Sequence, residues 1–258
     1  MPLRGKSVYI TGGTGGIGTP LVANLRTAGA HVMAHDYETE GDLVEGLDKI
    51  CTQLKENTPD ILINMAGYNV LDYCENQNLS AIVDLNMMVP MRLTQAVLPG
   101  MKAQNFGQII NMGSMTALIP LPHLTGYVAA KAGLKGFNDA LRRELGGTNI
   151  KLTYISPRAV RTPMNSGVKA EVNERTKVNY DDPNDVAKRI FEAIIKAQAE
   201  VRIGWPERLF AFLHANFPAI IDSGLQKNRK IGEEALNTHN SRMERKDEET
   251  SHNNRLAS

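Results

Sequence analysis

Apolar positions along this chain fall into two alternating rhythms. Short runs rich in β-branched residues, Ser7–Thr11, His31–His35, Ile61–Asn64, Gln108–Met112, Lys151–Ile155 and Val201–Ile203, have the length and character of strands. Between them, stretches near 16–28, 42–56, 77–104, 125–145 and 183–199 carry apolar residues at helical spacing. Strand and helix in strict alternation predict βαβ units. The expected fold class is therefore α/β: a doubly wound parallel sheet in a single three-layer αβα domain.

Breakers refine the pattern. Pro90 should kink the 77–104 helix or mark a turn within it, and Pro183-Asn-Asp185 reads as the start of the next helix. Beyond the last strand, 206–226 is amphipathic, with Leu209, Phe210, Phe212, Leu213, Phe217, Ile220, Ile221 and Leu225 arranged as one helix, Pro218, then a second short helix. From Gln226 onward the chain is highly polar. A domain over 1–225 is expected, with 237–258 disordered because so few apolar groups cannot offset the ordering entropy; Ile231–Leu236 could extend a helix.

Composition narrows the partners. A chain of 258 residues can bury one large core, and 42 % hydrophobic with 22 % charged residues is ordinary for a globular domain. A net charge of +1 gives no argument for nucleic acid. Cys51 and Cys74 make neither a disulfide framework nor a metal cluster. With no apolar run of membrane-span length and no signal-like N-terminus, a cytoplasmic address is expected.

The chemistry begins at TGGTGGIG, residues 11–18. It follows a strand and opens a helix, where a Rossmann-type fold lets backbone approach a pyrophosphate. Gly12 permits the tight turn, Gly16 close ligand approach and Gly18 close helix–strand packing; Thr14 and Ile17 complete the turn. Asp36, at the end of the second strand, is placed to accept hydrogen bonds from the adenosine ribose and to repel a 2′-phosphate. Thr14, Gly15, His35 and Tyr37 offer no arginine or lysine for that phosphate, so NAD is expected rather than NADP.

Downstream, Ser114 precedes Tyr127 by thirteen residues, and Lys131 follows Tyr127 by four, on the same helical face. A phenol, a hydroxyl and an ammonium beside a dinucleotide make a proton-transfer apparatus. An adjacent Lys131 and a nicotinamide cation should lower the Tyr127 pKa toward neutrality. With the glycine turn, these residues resemble the short-chain dehydrogenase/reductase family over roughly 5–205. The resemblance implies an oxidoreductase transferring hydride between NAD(H) and a CH–OH/C=O group. In it, Tyr127 is the general acid/base, Lys131 its electrostatic partner and ribose ligand, and Ser114 the donor to the substrate oxygen.

The resemblance also implies that Asn86 steadies a water relay to the lysine and that Asp42-Leu43 contacts adenine. Asn64-Met65-Ala66-Gly67 is similar to the family's NNAG, with Asn64, Ala66 and Gly67 at the cofactor. Ser156–Pro163 is similar to its PG-x-x-x-T segment, giving Val160 and Thr162 the nicotinamide carboxamide. The stretch from Asp36 to Asn64 is short for the family, which usually fits a further helix and strand there. Arg158 stands where the family usually has glycine: it faces solvent or the pyrophosphate, or it recognises a substrate carboxylate or phosphate.

Met164–Asp182 should form a polar substrate loop, and Met115, Leu118, His123, Leu124, Arg158, Met164 and Trp205 are candidate pocket walls. His123 reads either as a solvated residue or as a second acid/base. The 206–226 segment packs on the domain or a partner subunit, or serves as a lipophilic flap or peripheral membrane contact. By resemblance, helices 77–104 and 125–145 build a homodimer or homotetramer. The alternative function is a catalytically silent dinucleotide sensor on the same fold. Epimerase or dehydratase chemistry on nucleotide sugars would need a larger C-terminal substrate domain. No metal site is expected.

Overall fold

The computed structural model describes the backbone of residues 1–256, and their side chains except those of Glu38, Trp205, Pro206 and 243–256. Strands β1 (Ser7–Thr11), β2 (His31–His35), β3 (Ile61–Asn64), β4 (Gly107–Met112), β5 (Ile150–Ser156) and β6 (Glu200–Arg202) form one parallel sheet in the order β2-β1-β3-β4-β5-β6. The helices are α1 (Gly18–Thr27), α2 (Tyr37–Glu40), α3 (Leu47–Glu56), α4 (Leu79–Val83), α5 (Val89–Ala103), α6 (Thr125–Glu144), α7 (Val168–Arg175), α8 (Pro183–Ile195), α9 (Trp205–Asn216) and α10 (Pro218–Leu256).

Alternation along each strand sorts the core into two layers. Val8, Ile10, Ile61, Ile63 and Ile110 pack with α1 and α8, through Leu21, Leu25, Val186 and Ile190. Tyr9, Leu62, Ile109 and Leu152 point the other way, onto α3, α5 and the end of α6, through Ile50, Leu93, Val97 and Leu141. A strand buried on both faces must be apolar at successive positions, which is why ILI at 61–63 lacks polar alternation. The chain order reverses between β1 and β3, opening a crevice at their carboxyl ends, where such sheets bind ligands. Only β2 lies beyond β1, so the short 36–64 stretch supplies α2 and α3 but no additional strand.

The predicted 77–104 helix is interrupted. Residues Asp84–Met88 form a π-turn, closed by Val89 N–H donating to the Asp84 carbonyl, and α5 restarts with Pro90 in its first turn. Proline has no N–H, so the Asn86 carbonyl four residues earlier loses its α-helical donor.

The C-terminus differs from expectation. The second helix after Pro218 is not short: α10 runs to Leu256. Ile231, Ala235 and Leu236 are buried, Ile231 and Ala235 packing on Val172 of α7. Arg175 pairs with Glu234, and Tyr73 Oη donates to Asn237 Oδ1 at 3.3 Å. No described helix is long and apolar enough to cross a membrane.

Candidate active site

The glycine turn is held by contacts its sequence alone does not show. Gly12 has φ +72°, a left-handed conformation that disfavours side chains, and a Cβ there would lie 2.9 Å from Ala66 N. A Cβ on Gly18 would meet the Gly12 carbonyl oxygen at 2.1 Å. Thr11 fastens this turn to the end of β3: its Oγ1 accepts the N–H groups of Met65 at 3.1 Å and Ala66 at 3.2 Å. Sequence reasoning missed Thr11, although a hydroxyl at a strand end beside a glycine turn is a fair signal. Ile17 precedes α1 without a capping side chain; Thr19 and Leu21 N–H donate to the Gly15 and Ile17 carbonyls and Pro20 has no N–H, which leaves N–H groups of the turn itself and of Gly18 to face a ligand.

Across the crevice, Ser114, Tyr127 and Lys131 come together. Ser114 follows β4 and is 9 % exposed; its Oγ accepts from Thr116 N at 3.1 Å and Thr116 Oγ1 at 2.9 Å. Tyr127 and Lys131 lie one turn apart on the buried face of α6. Lys131 Nζ donates to the Met112 carbonyl at 2.8 Å and lies 5.6 Å from the Tyr127 ring centroid. Tyr154, fully buried on β5, donates its hydroxyl to the Lys131 carbonyl at 2.9 Å and covers Gly113, where a Cβ would sit 2.1 Å from its ring. Tyr154 and Gly113 thus position both Ser114 and Lys131. Neither was singled out in the sequence, because their partners are remote in the chain.

The electrostatics of the protein's own groups run against the expected depression of Tyr127. Burial pushes its phenol up to about 12, and the Ser114 side chain opposes this only in part. Burial also pulls the Lys131 ammonium down to about 8. With both groups removed from water, desolvation outweighs the pull of one helical neighbour. A second cation, the half-buried Lys169 of α7, stands 5.9 Å from the Tyr127 ring centroid and is likewise pulled down to about 8 by burial.

These shifts have a sign in stability. The two ammonium groups hold protons less tightly in the folded protein than at the ordinary 10.5. Between about 8 and 10.5 the unfolded chain binds more protons, so this contribution to stability rises with pH in that window. Tyr127 acts oppositely, from about 10 to 12, where only the unfolded chain has lost its proton. Thermal melts of the nucleotide-free protein from pH 8 to 10 should show a shallower rise, or a steeper fall, in K169M than in the wild type. Equal slopes would place Lys169 in solvent.

One cavity of about 1130 Å³ joins these features, and every predicted catalytic, cofactor and substrate residue borders it except Asp36 and Asn64. Asp36 sits at the end of β2, where its Oδ1 accepts from Thr39 N at 3.2 Å. Asn64 turns into the interior and donates to Asn111 Oδ1 at 2.8 Å, and Asn111 donates to Asn138 Oδ1 at 3.1 Å; this chain ties β3, β4 and α6. Asp42 caps its own turn through Val44 N and Glu45 N. Asn86 is buried and donates to the carbonyls of Tyr68 and Ile82, while its Oδ1 has no hydrogen-bond partner and faces Gly67. Thr162 rests against Gly16, and Asn165 Nδ2 donates to the Val160 carbonyl at 2.6 Å.

Of the candidate walls, Met115, His123, Leu124, Arg158 and Met164 border the cavity, Leu118 does not, and the Trp205 side chain lies outside the described residues. Two readings are corrected. His123 is not simply solvated: its Nε2 is 3.1 Å from the Arg229 carbonyl of α10, and its ring meets Tyr73 edge-on. Arg158 is not a free anion receptor, because its guanidinium bonds Asp181 at 2.7 and 3.0 Å and Glu207 at 3.5 Å. Its φ also lies outside the left-handed region, so the segment needs no glycine there.

The fit to a dinucleotide rests on this geometry: a glycine-rich turn at a helix N-terminus opens into a cavity that also holds a buried hydroxyl, phenol and ammonium. The family model described as short chain dehydrogenase matches residues 41–173. Dehydrogenase/reductase SDR family member 7B of Danio rerio is 28 % identical over 238 residues, covering 77 % of each chain. D-xylose 1-dehydrogenase of Caulobacter vibrioides is 32 % identical over 188 residues, covering 62 % of this chain and 74 % of its own. A short chain dehydrogenase from Burkholderia cenocepacia, solved in complex with NADP, shares the fold with a TM-score of 0.71 at 22 % identity, covering 88 % of this chain and 99 % of that one. Sheet order, glycine turn and family match agree: the chain belongs to the short-chain dehydrogenase/reductase family of nucleotide-binding oxidoreductases.

Proposed function

We propose that this protein transfers a hydride between NAD(H) and the CH–OH or C=O group of a small or lipophilic alcohol or ketone. The observation that carries this reading is the convergence of Ser114, Tyr127 and Lys131 on one wall of the cavity that begins at the Gly12–Gly18 turn. When bound, the dinucleotide supplies the carbon that gives up or accepts the hydride. The turn would hold its pyrophosphate, Asp36, Asp42 and Leu43 its adenosine end, and Ala66, Gly67, Lys131, Val160 and Thr162 its nicotinamide end.

In the reductive direction Ser114 donates a hydrogen bond to the carbonyl oxygen and polarises it. Tyr127 gives its phenolic proton to that oxygen as negative charge develops there. Lys131 stabilises the phenolate left behind, a role that matters because burial otherwise holds the phenol near 12. Oxidation of an alcohol reverses each step. The orphaned Asn86 Oδ1 and the Lys131 ammonium both border Gly67, and that oxygen would suit a water that reprotonates the pair.

NAD is favoured over NADP because the lining at the β2 end consists of His35, Tyr37, Asp42 and Leu43, with Asp36 beside them and no lysine or arginine among the described residues there. A panel of ketones and secondary alcohols assayed with NADH, NADPH and their oxidised forms tests the reading. Turnover with NADH preferred supports it, and no turnover with either coenzyme across the panel refutes it. In D36A the preference for NADH should fall by about tenfold or more as repulsion of a 2′-phosphate is lost. An unchanged ratio would show that Asp36 does not read the ribose. Assembly through α5 and α6 and a cytoplasmic address extend the same proposal.

A further inference from the structure

The substrate side of the cavity contains a cation whose charge none of the described residues answers. Lys169 lies on α7, near the start of the helix, and is half-buried. It borders the large cavity and also a smaller adjoining one of about 470 Å³, lined by Tyr68, Val70 and Met164 among others. Among the described residues Lys169 has no hydrogen bond and no ion pair; its one charged contact is with the face of the Tyr127 ring, 5.9 Å away. Four carboxylates of α7, the segment after it, α9 and α10 are engaged by arginines. Asp181 and Glu207 hold Arg158, while Glu171 and Glu234 both hold Arg175. Lys177, just past α7, borders the same cavity and adds a second positive charge.

An ammonium withdrawn from water without a partner is costly, and the usual compensation is an anion. The helix that carries Lys169 is anchored, since its Val172 packs against Ile231 and Ala235 of α10. The same cavity has an apolar stretch of lining made by Phe210, Leu213, Ile220, Ile221 and Leu225 of α9 and α10.

Resting on the oxidoreductase reading, we infer that the substrate is amphipathic: an oxo or hydroxy compound with an anionic oxygen head, a carboxylate or phosphate, bound by Lys169 next to Tyr127, and a hydrocarbon body lying against α9 and α10. The head sits close to the reacting carbon because Lys169 and Tyr127 are neighbours. Burial that pulls the Lys169 ammonium down to about 8 still leaves it charged at neutral pH, and a bound anion raises it again.

Lys169 is then a specificity residue, and its test separates binding from turnover. The first readout is calorimetric titration of the NADH-loaded protein with hexanoate, hexyl phosphate and hexanol, none of which is reducible. Hexanoate or hexyl phosphate should bind at least about tenfold more tightly than hexanol, and the tighter of the two identifies the head group. The K169M variant should lose that preference and K169R should keep it. The second readout is turnover of oxo-carboxylates against their methyl esters: the wild type favours the acids, and K169M raises KM for the acids with a smaller change in kcat. Anion binding through Lys169 without turnover of acid or ester would overturn the hydride-transfer reading and leave the anion site standing. Binding of hexanol as tight as that of both anions, or anion affinity undiminished in K169M, would overturn the inference.

Discussion

Replacing Tyr127 by phenylalanine should lower kcat by about 10²–10⁴-fold while NADH affinity stays nearly unchanged. The phenol is 8 % exposed, and its ring packs on the buried face of α6, so phenylalanine fills the same space and removes only the hydroxyl. What is lost is the proton that must reach, or leave, the substrate oxygen. Fluorescence titration with NADH measures the binding arm, and steady-state kinetics the other. Loss of both together would mean a structural defect instead of a chemical one. Wild-type turnover in Y127F would exclude the phenol as proton donor. A sensor that had given up catalysis would show no difference between the two proteins, since neither would turn over.

The second large effect concerns backbone space. Gly18→Ala places a methyl carbon 2.1 Å from the Gly12 carbonyl oxygen and 2.7 Å from the Gly13 carbonyl carbon. Both obstacles are main chain, so no rotamer relieves the clash and the turn itself must open. The expected cost is about 1–3 kcal/mol of stability, read as a drop of several degrees in Tm, with NADH binding weakened more than tenfold. Gly136→Ala supplies the control within the same protein. Gly136 lies inside α6 with nothing within 4 Å of an added Cβ, and alanine there should stabilise by about 0.5–1 kcal/mol through helix propensity. If G18A bound NADH as the wild type does, the turn would not be the nucleotide cradle.

The two substitutions have the same chemical form and opposite expected signs, and sequence alone distinguishes them only in part. Position 18 announces itself because it closes a glycine turn between a strand and a helix. The severity at that position comes from the Gly12 carbonyl, whose location is set by the left-handed φ of Gly12 and by the Thr11 hydroxyl that ties β1 to β3. Gly113 makes the point more sharply. In the sequence it is one residue of a loop after β4; in the fold it is a floor for Tyr154, which reaches it from β5 and then bonds the Lys131 carbonyl.

Arg158 and Lys169 show how the same limit bears on specificity. Both are cations in the region following β5, and the sequence marks Arg158 as the unusual one because it replaces a glycine of the family pattern. Three-dimensional neighbours reverse their importance. Asp181 and Glu207, brought in from after α7 and from α9, take up the arginine's charge. Lys169 is left facing Tyr127 with no carboxylate paired to it among the described residues. Partner geometry of this kind depends on loops whose path local propensity does not set.

What the chain determined by itself was whatever depends on local pattern: six strands within a residue or two of their observed ends, the alternation that forces a parallel sheet, the glycine turn, and the four-residue spacing that puts Tyr127 and Lys131 on one face. Periodicity and turn chemistry act over a few residues, so they are written where they operate. Tertiary structure decided the rest: the inward turn of Asn64, the docking of His123 on α10, the course of α10 past Leu236, and the direction of the Tyr127 and Lys131 pKa shifts. Each of those depends on groups far apart in the chain meeting out of water, where desolvation and long-range partners outweigh any preference of the local sequence.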